Sequence, residues 1–449
     1  MKHSLRSDLT ALWTVGWPLI LNNLFSMGVN VADTLMIGRL GATSLAALAI
    51  GSGTWVAIFL AGLGILMALG PTVSHHFGAQ RYVEIGHDTR QALWLAMVLS
   101  LLVCLALHHV KYPLARLGIE PVIVGLAGDY LRGLSWGVPA VYCYQVFRQM
   151  NEGIGRTLPI MVVTGLGLIL NVAVSYVLVF GKLGFTARGV EGSGLGTAIA
   201  FWGMLCLLLT HVALHPAYDR FVLWRARFQP DWRALLHLVG LGWPIGLSLL
   251  MQAGLFMALA LMMGRLGPTF AAAHQITLNY AGLVFMLPLG IGFATAVLVG
   301  QAMGAGAPKE ARRIGMVGIL VCFCIAGSIA LATWIGSAHI AELYTRDASV
   351  TALASTLLLA SGFLQWGDGT QSAAAGALRG LKDTRVPMVI NGTIYWGVGF
   401  ATAWLLGVEF GLGGIGIWAG LALALCTAAV VLTLRFRHIV ERRIEAGAI

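Results

Sequence analysis

The sequence predicts an all-α polytopic membrane protein with 12 transmembrane helices in two pseudo-symmetric six-helix lobes, and three observations carry that prediction. The first is composition. Of 449 residues, 58% are hydrophobic and 10% charged, and mean hydropathy is +0.84. Soluble domains carry roughly 25% charged residues, and so few charges could not cover a water-soluble fold of this size. The second is that the apolar residues come in continuous, non-alternating blocks. Each is long enough for a bilayer-crossing helix of about 20 residues, and in lipid only helices or closed barrels satisfy their own backbone. The third is an internal repeat at a constant offset of 226 (244 − 18, 264 − 38, 304 − 78).

The elements follow in order. Helix one is expected over 10–38, after a polar start lacking the short apolar core and cleavage site of a signal peptide. It contains Gly16-Trp17-Pro18 and Leu35-Met36 and runs into Gly38-Arg39-Leu40-Gly41. Helix two is expected over 44–71, with Gly78-Ala79 beyond it, and helix three over 88–108. Helices four, 122–149, and five, 159–182, flank Gly153 to Pro159 (GIGRTLP). Helix six spans 190–215 and opens on Gly192-Ser193-Gly194. The longest hydrophilic stretch, 216–233, then separates an N-lobe, 1–215, from a C-lobe, 234–449.

Helix seven, 234–265, repeats Gly242-Trp243-Pro244, Leu261-Met262 and Gly264-Arg265-Leu266-Gly267. Helix eight, 272–303, leads into Gly304-Ala305. Helices nine, 313–337, and ten, 349–377, precede Gly380 to Pro387 (GLKDTRVP), which echoes GIGRTLP with one insertion. Helices eleven, 387–408, and twelve, 413–435, complete the second half. Both halves run in the same direction. A parallel repeat places a pseudo-two-fold axis along the membrane normal, with a central cavity, as in alternating-access carriers. Duplicated membrane folds also serve as channels and enzyme scaffolds.

An even helix number puts both termini on one side. One set of connections holds 20 of the 28 Lys and Arg residues, among them Lys2, Arg6, Arg156, Arg225, Arg227 and Arg443, and the other holds 8. The positive-inside rule makes the rich side, with both termini, cytoplasmic. Topology thus accounts for the +10 formal charge better than nucleic-acid binding does. The six cysteines lie in apolar segments without metal-ligand spacing and read as packing residues.

Most acids lie near helix ends. Asp33 and Asp368 lie inside helices one and ten. A carboxylate in the bilayer costs several kcal/mol unless paired, hydrated or neutralised, so each is a functional candidate. The repeat sharpens the case for Asp33. Its equivalent is Leu259 (259 − 33 = 226), so the architecture tolerates an apolar residue there. Asn171, with Ser175 one turn later, and Thr197 are polar groups of helices five and six able to hydrogen-bond Asp33 if the three helices surround one cavity. We assign Asp33, Asn171, Thr197 and Asp368 to the coupling ion or proton, with Na⁺ at Asp33 or Asp368 as the metal alternative. Asn22, Gln252, Gln275, Asn279, Tyr280 and Met257 are expected to line the substrate cavity. Flexible Met and aromatic rings suit varied apolar cations; alternatively, they pack or face lipid. His274 reads as a satisfied core histidine. No GxxxxGK[ST] loop is present, so the energy source is expected to be an ion gradient and no cofactor or enzymatic activity is expected.

The stretches WPLILNNLFSMGVNVADTLMIGRLGATSLAALAIG, NEGIGRTLPIMV, GVEGSGLGTAIA, AAAHQITLNYAGLVFMLPLGIGFATAVLVGQAMGAG and GALRGLKDTRVPM together resemble the multidrug and toxic compound extrusion (MATE) family over nearly the whole chain. The resemblance implies two six-helix lobes in a V, opening alternately to each side. It also implies export of cationic drugs in exchange for entering H⁺ or Na⁺, in a bacterial inner membrane. By that resemblance Asp33 matches the family's essential acid, Asn171 and Thr197 its polar partners, and Asp368 an acid of the norfloxacin-exporter branch. That branch usually has a Glu where this chain has Gln252, and another branch an Asp where it has Ser175; the first departure weakens a second-lobe Na⁺ site. The expected function is a secondary antiporter of organic cations, working as a monomer among membrane lipids. The alternative is a lipid-linked precursor flippase of related two-lobe fold, which needs a cavity rich in Arg and Lys, whereas these residues cluster at loops and helix ends.

Overall fold

A computed structural model describes residues 5–116, 118–224 and 228–446, so Lys2, Arg225 and Arg227 lie outside the described residues. The described chain is helical throughout, with no strand. The rods are α1 (Leu5–Gly38), α2 (Ala42–Gly78), α3 (Tyr82–Ala115), α4 (Pro121–Ser135 continued by Val138–Gly153), α5 (Leu158–Phe180), α6 (Gly189–Leu214), α7 (Trp232–Leu266), α8 (Pro268–Gly304), α9 (Pro308–Tyr344), α10 (Ala348–Gly380), α11 (Arg385–Glu409) and α12 (Gly413–Ala446). Ten are long and apolar enough to cross a bilayer by composition alone. The other two, α1 and α4, carry the polar runs that include Asn22, Asn23 and Asp33, and Gln145 to Glu152.

Several rods outrun the expected spans, because apolar blocks mark only the lipid-crossing part of a helix. Thus α1 begins at Leu5 and α12 continues to Ala446. The helix expected over 122–149 breaks at Trp136-Gly137, ahead of Pro139, which has no amide to donate. Rod α11 contains two π-helical stretches, Thr393–Phe400 and Leu405–Glu409, while its counterpart α5 is regular. Pro18 and Pro244 both sit inside unbroken helices, which membrane helices tolerate.

The chain forms two compact units, Met1–Ile20 with Leu247–Ile449 and Leu21–Gly246. Both α1 and α7 therefore contribute to each unit. The two exchange points obey the repeat (246 − 20 = 226) and lie two residues past Pro18 and Pro244. In the second unit α5 packs on α6, and α6 on α4; in the first, α10 packs against α8, α9 and α12. The start of α1 is fixed to α9 by Arg313, whose Nε and Nη2 donate to the buried Asp8 carboxylate at 2.6 and 3.1 Å. The inter-half stretch is fixed to α3: Arg90 donates to the Val222 carbonyl at 2.9 Å, and Gln91 bonds the Gln229 carbonyl and the Asp231 amide, each at 2.9 Å.

Glycines show that the two halves repeat in packing as well as sequence. A Cβ on Gly192 would strike the Leu178 backbone and one on Gly196 the Ser175 side chain. In the other half Gly416 meets Leu406 and Gly420 meets Ala403. This fixes the correspondence at 224 for α6 with α12 (416 − 192) and 228 for α5 with α11 (403 − 175).

Candidate functional site

Asp33 sits on α1 facing α5 and α6, with 5% of its surface exposed. On α5, Asn171 and Ser175 are four residues apart and share a helix face; on α6, Ser193 and Thr197 do the same. All four are buried. The close approach at Gly196 brings the two faces together around the carboxyl. Thr197 Oγ1 donates to Asp33 Oδ2 at 3.2 Å and accepts from Asn171 Nδ2 at 3.0 Å. Ser175 and Ser193 border the carboxyl without reaching hydrogen-bond geometry. Asp33 Oδ1, Asn171 Oδ1, Ser175 Oγ and Ser193 Oγ are consequently buried without partners.

Buried polar atoms are nearly always satisfied, so four orphaned oxygens in one place need an explanation. An all-oxygen donor set with one carboxylate suits a hard cation or a proton on the carboxylate. The structure thus brings Asp33, Asn171 and Thr197 into direct hydrogen bonding. Ser193 and Tyr130, the latter a buried α4 residue within electrostatic reach of Asp33, were not among the sequence candidates. Nothing short of the helix packing points to them.

Asn22 joins a different cluster. Its Oδ1 accepts from Thr164 Oγ1 at 2.7 Å, and Tyr144 Oη lies 2.8 Å from the same hydroxyl. Eleven residues of α1 (33 − 22), or about 16 Å of helix, separate it from Asp33.

In the first unit Asp368 is buried on α10. One turn before it, Gln365 accepts from Thr333 at 3.3 Å, and Thr333 meets Tyr280 at 2.8 Å. One turn after it, the Gln371 amide donates to Tyr395 Oη and Asn391 Oδ1. Tyr280 is therefore linked to the polar stretch around Asp368. Gln252 is half-buried, and its side chain makes no hydrogen bond among the described residues. Gln275, Asn279 and Met257 are exposed, and Asn279 accepts from Tyr344 at 2.9 Å. His274 is buried, with Nδ1 accepting from the Trp418 indole at 3.1 Å.

Known proteins match over the full length. A sequence model of the MatE family matches residues 18–177 and 244–405, two segments that begin at the paired prolines. The probable multidrug resistance protein NorM of Xanthomonas axonopodis pv. citri (strain 306) is 40% identical over 440 residues, 98% of this chain and 96% of that protein. The multidrug resistance protein MdtK of Yersinia pestis (strain Pestoides F) is 34% identical over 435 residues, 96% of this chain and 95% of that one. Among solved structures, a mutant of the Vibrio cholerae MATE transporter VcmN superposes with a TM-score of 0.90 at 18% identity, over 98% of both chains. The eukaryotic MATE transporter AtDTX14 gives 0.87 at 19% identity, over 99% of both.

Proposed function

The chain belongs to the MatE family, and on that premise we propose that it is a secondary antiporter exporting organic cations and drugs from the cytoplasm in exchange for entering H⁺ or Na⁺. The observation that carries the coupling role is the Asp33 cluster: a membrane-buried carboxyl beside three further side-chain oxygens that nothing in the fold satisfies. A cation bound there would be held by Asp33 with Asn171, Ser175, Ser193 and Thr197; a proton would sit on Asp33, hydrogen-bonded by Thr197. Either ligand removes the cost of an uncompensated charge in the bilayer. Transport then requires only that coupling ion and drug favour different states, since a ligand shifts an equilibrium by its differential affinity. Asp368, in the polar stretch joined by Gln365, Gln371 and Tyr280, is a second anionic position for cation or substrate.

The reading extends to a bacterial inner membrane, with both termini cytoplasmic on the side rich in Lys and Arg, and to lobes 1–215 and 234–449 joined by 216–233. The multidrug resistance names of the full-length relatives favour drug export over flipping of a lipid-linked precursor.

The test is ethidium accumulation in drug-sensitive bacteria expressing wild type or Asp33→Asn at equal membrane levels. Wild type lowers accumulation and the variant does not. Efflux abolished by a protonophore yet independent of external Na⁺ points to H⁺ as the coupling ion, and dependence on external Na⁺ points to Na⁺. Gradient-driven efflux by Asp33→Asn equal to wild type would remove Asp33 from the mechanism.

A further inference from the structure

The two halves differ in charge at one equivalent place where a loop enters a helix. In the second half, Asp383 precedes Thr384, the residue just before the first turn of α11. Arg435 on α12 donates from Nε to the Asp383 carboxylate at 2.7 Å. The equivalent of Asp383 is Arg156 (383 − 156 = 227), which precedes Thr157 at the start of α5. The correspondence holds in the backbone too: Gly155 and Lys382, just before them, both have positive φ (78° and 59°). The equivalent of Arg435 is His211 (435 − 211 = 224) on α6. Where one half has an acid and a base that neutralise each other, the other has two basic residues.

Among the described residues no acid pairs with Arg156. Glu152, one turn earlier, is held by Arg148 at 2.7 Å. Asp219 is exposed and forms no ion pair among the described residues. Arg156 instead lies 5.5 Å from the Tyr218 ring centroid and 3.5 Å from His215. The His211 ring is 5.4 Å from that of His215, and its Nε2 is buried without a partner. Arg156, His211 and His215 thus cluster where, among the described residues, no carboxylate pairs with the guanidinium.

Directly beyond Arg156 begins the outward face of α5. Leu158, Val162, Leu166 and Ile169 recur at helical spacing, each about half exposed or more, with Ile169 at 67%. On α6, Leu207 and Leu214 are likewise exposed. A cationic head at the end of an apolar stripe is the complement of a lipid, with phosphate at the interface and acyl chains in the bilayer. Basic pockets between membrane helices recognise anionic headgroups in this way, and charge-assisted bonds from Arg to phosphate are strong and directional.

We propose that Arg156, with His211 and His215 beside it, binds the phosphate of an anionic phospholipid whose acyl chains lie along the exposed stripe of α5. The lipid supplies the countercharge that Asp383 supplies to Arg435, so the site belongs to the first half alone.

Native mass spectrometry of the full chain tests this with phosphatidylglycerol and phosphatidylcholine of identical acyl chains. Wild type is expected to bind phosphatidylglycerol roughly tenfold more tightly or better, given the attraction of basic residues for anionic headgroups. Arg156→Asp, which copies the other half, is expected to lose that preference, and Arg156→Lys to keep most of it. A large excess of inorganic phosphate is expected not to compete. Equal binding of the two lipids, or an unchanged preference in Arg156→Asp, overturns the proposal. Competition by inorganic phosphate overturns it in favour of a free-anion site. If Arg156→Asp does not fold, a photoactivatable phosphatidylglycerol cross-linked to wild type decides. The label must fall within residues 156–169 or 207–220, and labelling elsewhere overturns the assignment.

Discussion

The Asp33 cluster and its counterpart in the other half share one frame and hold opposite contents. Asp33, Ser175, Ser193 and Thr197 correspond to Leu259, Ala403, Ile417 and Leu421, all buried in one apolar core cluster, and Asn171 corresponds to Gly399. The same glycine contacts set both frames, Gly196 against Ser175 and Gly420 against Ala403. A helix packing that closes equally well over hydrocarbon has no structural need of a carboxyl and four polar neighbours. The difference teaches that the polar set is there for something the fold does not supply, which is the strongest physical argument for an ion site in the first half.

The most severe way to break this comparison is to erase it. Asp33→Leu gives the first half the residue that the second half already accommodates. We expect the protein to fold and insert, because a central Leu inserts about 3 kcal/mol more favourably than Asp. Gradient-driven ethidium efflux is expected to fall to the level of cells lacking the transporter. Efflux at wild-type rate, with equal protein in the membrane, would mean that the cluster does not couple transport.

The reverse exchange comes next in size. Leu259→Asp places a carboxyl among Ala403, Ile417 and Leu421 with no oxygen to receive it. The insertion cost is again about 3 kcal/mol, a large fraction of a typical stability. The expected outcome is a lower yield of monodisperse protein and a lower melting temperature in detergent. A variant as stable as wild type would show that the second frame can hydrate a charge, and the contrast between the halves would lose its meaning.

A smaller change sharpens the picture inside the cluster. Thr197→Ala removes both the donor to Asp33 and the acceptor for Asn171. Hydrogen bonds to charged groups contribute about 1.5–3 kcal/mol, so a Na⁺ held by these oxygens should bind at least roughly tenfold more weakly, whereas a proton on Asp33 should bind more tightly. The half-maximal Na⁺ concentration for efflux is expected to rise accordingly, with the maximal rate less affected, whereas for H⁺ the half-maximal concentration is expected to fall, because the lost donor favoured the ionised carboxylate. Thr197→Ser keeps the hydroxyl and should stay near wild type.

How much of this was legible in sequence follows from how the offset between halves behaves. Along α1 with α7 and α2 with α8 it stays at 226, so the replacement of Asp33 by Leu259 is visible without coordinates. Beyond that it drifts, to 227 at Gly153 and Gly380, 228 along α5 with α11 and 224 along α6 with α12. The drift accompanies the π-helical stretches Thr393–Phe400 and Leu405–Glu409, which α5 lacks. The counterparts of Ser175, Ser193 and Thr197 therefore cannot be paired by counting, and the glycine contacts are needed. Asn22 shows the other limit. Its polarity marks it as a candidate, but whether it meets Asp33 or Thr164 depends on rise along α1 and on which α5 face turns inward. The charge reversal between Arg156 and Asp383 was within reach of the GIGRTLP and GLKDTRVP echo, yet it acquires meaning only once Arg435 is seen to close on Asp383.

The smallest test concerns two helix starts that the repeat also pairs. Asp347 caps α10 and Glu120 occupies the same position before α4 (347 − 120 = 227). Asp347 Oδ1 accepts from the Ser349 amide at 2.9 Å and the Val350 amide at 3.2 Å, whereas Glu120 makes no capping bond. A short Asp side chain reaches the free amides of the first turn, and Glu is not a favoured cap. The Ser349 hydroxyl and then the two amides hold the Asp347 carboxyl below its ordinary value. Its capping contribution is therefore complete above the ordinary carboxylate range and lost as pH falls through the lowered value. In hydrogen exchange, Asp347→Ala is expected to speed exchange of the Ser349 and Val350 amides several-fold at neutral pH. The difference should shrink once acid protonates the wild-type cap. Glu120→Ala is expected to leave the first turn of α4 unchanged. Equal acceleration at both starts would show that loss of a negative charge near the helix end, not the capping geometry, is what the exchange reports.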